Sequence, residues 1–106
     1  MTIDEETAKI LGDTVKQSLV YLLGSAGETF IELLERQSRM NWVSLTREPD
    51  ALSRALQTIS GNVSKVIERV ILKEFALRMG VSGSHEAKDS FSAAVTKIQE
   101  KAKSRL

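Results

Sequence analysis

The sequence predicts an all-α protein, a compact five-helix bundle with a central fourth helix, as one domain over residues 1–106. Three observations carry that expectation. Apolar residues recur every three or four positions through most of the chain, the spacing that gathers them on one face of an α-helix. Gly24, Gly61 and Gly80 punctuate the periodic stretches, and Ser, Thr, Asn or Pro stands where a helix would begin. No stretch alternates apolar with polar residues as a half-buried strand does. A chain of 106 residues supports one hydrophobic core and is too short for two.

The first helix is expected from Thr2 to about Leu23. Thr2 would cap it and Glu5 would complete a capping box, while Asp4 and Glu6 favour the positive end of the dipole. Ala8, Leu11, Val15, Leu19 and Leu22 share its inner face. Gly24 stops it, and Ser25 with Glu28 forms the pattern of a second capping box, so a helical hairpin or sharp corner follows. Helix two, residues 26–38, would bury Phe30, Ile31, Leu33 and Leu34. Residues 40–45 have mixed polarity and no period, and are expected to form an ordered connection.

Helix three begins at Thr46 or Glu48, with Pro49 allowed in the first turn because amides there lack intrahelical partners. Leu52, Ala55, Leu56 and Ile59 form its inner face. Gly61 breaks the chain and Asn62 is suited to cap helix four. That helix, residues 63–79, carries Val63, Val66, Ile67, Val70, Ile71, Leu72, Phe75, Leu77 and Met79 over more than half its circumference, which places it at the centre. Gly80 ends it, and Ser84 is expected to cap helix five after a short loop. The stripe Ala87, Phe91, Ala94, Val95, Ile98 and Ala102 is rich in small residues. At about 25 cal/mol per Å² of buried apolar area, such a helix should be the least firmly docked.

Catalytic and cofactor chemistry find little support. With no cysteine and one histidine, His85, a zinc site lacks ligands, and His85 fits a solvated residue at a helix start. No nucleophile elbow, phosphate-binding loop, dinucleotide fingerprint or EF-hand loop is present, so neither an enzyme nor a cofactor is expected. Glu28, Glu32 and Glu35 share a helix face, but a capping role for Glu28 and i,i+4 pairs of Glu32 with Arg36 and Glu35 with Arg39 would account for them. The absence of cysteine favours the cytoplasm. No apolar run approaches the roughly 18 residues of a membrane span, and residues 1–10 are acidic where a signal peptide would be basic, so no membrane partner is expected.

Charge is where the sequence is informative. The formal net charge is +1, yet residues 1–35 hold seven carboxylates against two lysines, a net of −5 that leaves +6 for the remainder. Lys65, Arg69 and Lys73 recur at i, i+4 and i+8 on helix four, with only Glu68 placed to offset them, and like charges at that spacing repel. Lys97, Lys101 and Arg105 repeat the arrangement on helix five, where cations near a C-terminus complement the dipole. Each row is either neutralised by the acidic helices or open to an anionic partner, with the first slightly favoured for helix four. Trp42, the only tryptophan, would either plug one end of the bundle with its indole N–H on a carbonyl or act as a hydrophobic anchor for a partner.

Over residues 24–80 the order of features resembles an archaeal all-helical domain family of unknown function, also found as an output module in signalling proteins of ammonia-oxidising archaea. The matching elements are a helix ending Leu33-Leu34-Glu35, then Glu48-Pro49-Asp50 followed by Leu56 and Ile59-Ser60-Gly61, then Val66-Ile67-Glu68 and Ile71. The family pattern favours an aromatic before the glycine where this chain has Ser60. The resemblance covers about half the chain and implies a cytosolic archaeal protein with a regulatory or interaction role. Together these readings predict a non-catalytic module whose partner is another protein or a second copy. The alternative is nucleic-acid binding through Lys65, Arg69 and Lys73 with Lys97, Lys101 and Arg105. No small-molecule substrate is indicated.

Overall fold

The computed structural model describes residues 3–82 and 89–104 and contains helices but no strand among them. The first helix, α1 (Glu5–Leu23), begins later than Thr2 because Asp4 supplies the cap: its carboxylate accepts from the Thr7 amide at 2.8 Å. Thr2 lies outside the described residues. Ile3, just ahead of the helix, is buried in the core, and its amide donates to the Arg47 carbonyl at 3.0 Å.

A two-residue corner joins α1 to α2 (Ala26–Ser38). Gly24 takes a φ of 61°, which favours glycine, and a Cβ on Gly27 would lie 2.9 Å from the Val20 backbone. Close approach of the two backbones therefore makes this corner. Ser25 is helical and makes no capping hydrogen bond, so the capping box expected with Glu28 does not form.

The connection expected over residues 40–45 is instead a short helix, α3 (Trp42–Arg47). Asn41 caps it by accepting from the Ser44 amide at 2.9 Å, and the Glu35 carboxylate accepts from the Trp42 amide at 2.8 Å. Helix α4 (Pro49–Ser60) starts with Pro49 in its first turn as expected, and Leu52, Ala55 and Leu56 enter the core. Between α4 and α5 (Ser64–Arg78), residues Gly61–Val63 form a 3₁₀ turn, and Asn62 does not cap α5. The last helix, α6 (Phe91–Ser104), is capped by Ser90, whose hydroxyl accepts from the Ala93 amide at 3.1 Å. The expected cap Ser84 and stripe residue Ala87 lie outside the described residues.

Helix α5 packs against α1, α4 and α6, α1 against α2, α3 and α5, and α4 against α2, α3, α5 and α6, so these three helices share the middle of the bundle. Only part of the wide apolar arc of α5 is buried. Ile67, Ile71, Leu72, Phe75 and Ala76 enter the core, whereas Val63, Val66 and Leu77 are exposed. Helix α6 docks on α4 and α5 through Phe91, Ala94, Val95 and Ile98 of the expected stripe, all buried. Asp4 also ties its end to α1, through a hydrogen bond from the Asp4 amide to Gln99 Oε1 at 3.0 Å and an ion pair with Lys103 at 2.7 Å.

Candidate functional site

The outward side of α5 combines apolar and cationic side chains that no other described element covers. At about 100° per residue, Val66, Val70, Lys73 and Leu77 fall within about 60° of one another, opposite the core-facing Ile71 and Phe75. Val66 is 55% exposed and Leu77 64%, while Val70 is half-buried. Arg69 and Lys65 follow along one edge of this arc. Both are exposed, as is Lys73, and among the described residues no carboxylate lies within ion-pair distance of any of the three.

Glu68, the carboxylate placed to offset them, is turned away toward α4. Its Oε2 accepts from the Ser53 hydroxyl at 2.5 Å, and burial pushes its carboxyl above the usual range against the opposing effects of Ser53 and Lys65. The acidic excess of residues 1–35 does not settle on the row either. Asp4 goes to Lys103 and Glu35 to the start of α3, while Glu5, Glu6, Asp13, Glu28 and Glu32 remain exposed. The internal neutralisation slightly favoured from sequence is therefore not how the described residues are arranged.

Beside this row, α1 and α5 enclose a groove of about 470 Å³ whose lining includes Tyr21, Val70 and Lys73. Tyr21 is 84% exposed. Arg78, on the same groove, is occupied by Glu74 at 3.5 Å and by Gln17, which leaves Lys73 as its unpaired cation among the described residues. Nothing local in the sequence joins Tyr21 to Lys73; the α1·α5 packing does so.

The second basic row is different. Lys97 pairs with Asp89 at 3.0 Å, Lys101 is exposed, and Arg105 lies outside the described residues, as does His85. The expected pairs of Glu32 with Arg36 and Glu35 with Arg39 are absent among the described residues, because Glu35 serves α3 and Arg39 takes a left-handed φ of 58° at the end of α2.

Trp42 occupies the first position of α3 and is half-buried against the core. Its indole nitrogen lies over Gly12, where a Cβ would come within 3.2 Å of it and within 3.0 Å of Thr46 Cγ2. Gly12, which the sequence reading passed over, thus lets α3 approach α1; a glycine inside a helix was its only signal. The indole hydrogen bond to a carbonyl expected of a plug is not made among the described residues, and Lys16 Nζ stands 5.7 Å from the ring centroid. Trp42 and Val43, the latter 70% exposed, line a groove of about 550 Å³ whose rim carries both acids and bases.

Among the described residues no group of three His, Cys, Asp or Glu could hold a metal ion, and no helix is long and apolar enough to cross a membrane. Comparisons with protein-family models, curated proteins and solved structures return no match to this chain.

Proposed function

We propose that this chain is a small protein-interaction module, regulatory and cytoplasmic, without catalysis of its own. The outward face of α5 supports this most. A helix that already sends one apolar face into the core presents a second one, Val66, Val70 and Leu77, to solvent. Apolar side chains in a row beside charged ones are the anatomy of a surface that another helix covers. The half-buried Trp42 and exposed Val43 offer a second anchor of the same kind. The regulatory part rests on the resemblance to an archaeal output module.

Affinity capture from native lysate tests this reading. Proteins retained by wild type should be lost with the Val66→Gln/Leu77→Gln double variant, whose folding should be intact because both positions are exposed. Identical capture by the two would count against the α5 face as the interaction surface.

A second reading, nucleic-acid binding, is supported by the groove that Tyr21 and Lys73 line together, since an exposed aromatic sharing a groove with a cation suits a stacked base and its phosphate. The exposed valine and leucine between the cations argue for a protein, because a phosphate backbone gains nothing from them.

A further inference from the structure

We infer that the outward face of α5, with Tyr21 at its side, receives an acidic amphipathic helix, one whose apolar stripe is bordered by Asp and Glu. This rests on the reading of the chain as an interaction module and names the partner's chemistry. Val66, Val70 and Leu77 have the 4- and 7-residue spacing of a helix-in-groove contact, and the α1·α5 groove gives the incoming helix a track. Lys65, Arg69 and Lys73 run alongside with no carboxylate at ion-pair distance among the described residues, and the nearest candidate, Glu68, is hydrogen-bonded by Ser53. An acidic border would supply the missing counter-charges and fix orientation.

A second copy fits this face poorly. In a two-fold dimer that packs the two α5 helices antiparallel, the patch meets itself and one cationic row is set against the other.

Fluorescence anisotropy tests the inference with a labelled helical peptide of about 20 residues, Leu at helical spacing and Glu beside it. A Gln-for-Glu counterpart and an oligothymidylate of about 20 nucleotides serve as the other probes. The Glu peptide should bind wild type at least about tenfold more tightly than the Gln peptide, and Arg69→Glu should weaken it about tenfold. Val66→Gln/Leu77→Gln should also cost about tenfold, with circular dichroism confirming that each variant is folded. Equal binding of both peptides, lost in the double variant, would overturn the acidic class while leaving the interaction reading intact. Preferential binding of the oligonucleotide, weakening about 20-fold between about 50 and 200 mM salt for three phosphate contacts, would overturn both in favour of nucleic acid. Failure of every probe to bind, or concentration-dependent self-association through this face in sedimentation, would overturn the inference.

Discussion

The two sides of α5 carry the same kinds of residue to opposite ends. Ile67, Ile71, Leu72 and Phe75 disappear into the core, while Val66 and Leu77, from the same helix and equally apolar, stand exposed beside three cations that have no ion pair among the described residues. Apolar content thus marks a helix as important without saying which side is for folding. Phase decides it: residues about 180° from Phe75 cannot reach α1, α4 or α6, whatever their hydropathy. The inner side should therefore govern stability and the outer side recognition.

The largest test of that division is Ile71→Ala, which should cost about 2–5 kcal/mol in a urea titration through lost transfer energy and the cavity left behind. A loss below about half a kcal/mol would show that the core is elsewhere. Gly27→Ala comes next. The added methyl would meet Val20 backbone atoms at 2.9 Å, and since backbone yields less readily than a side chain, a loss of about 1–3 kcal/mol is expected in the same titration.

Asp4 sharpens the boundary, because it sits at the rim where α6 closes on α1. Asp4→Ala should cost about 0.5–2 kcal/mol, while Asp4→Asn, which retains a capping oxygen, should cost less than about 1 kcal/mol for an ion pair this exposed. The Lys103 ammonium, with the Thr7 amide, holds the Asp4 carboxyl down from its ordinary 3.8 to about 2. A depressed carboxylate stabilises the fold above its unfolded value, so the contribution is complete above about pH 4 and fades as pH falls toward 2. Acid unfolding followed by circular dichroism should show this dependence in wild type and not in Asp4→Asn.

Much of this division was legible in the sequence, and the gaps have physical causes. The periodic residues of α1, α2, α4 and α5 announced their helices, and Pro49 and Gly61 marked the ends of α4 closely. Helix α3 was missed because six residues span under two turns, too short for a period to show; Asn41 was its one signal. Asp4 is the cap in place of the expected Thr2, and it also meets α6, its amide donating to Gln99 and its carboxylate pairing with Lys103, partners about 95 residues away. On the candidate surface, the i,i+4 spacing of Lys65, Arg69 and Lys73 was visible directly. Their lack of carboxylates was not, since it depends on where α1 and α2 point their acids after packing. Tyr21 joined the surface for the same non-local reason.

The smallest expected effect is the most direct test of the account. Arg69→Glu, measured beside wild type by urea unfolding at low and at high salt, reads whether the cationic row belongs to the fold or to a partner. With the row open to water, stability should stay within about half a kcal/mol of wild type at both salt concentrations. A loss of more than about 1 kcal/mol at low salt that disappears at high salt would mean that carboxylates of this chain neutralise the row, and would contradict the assignment of the outer face of α5 to recognition.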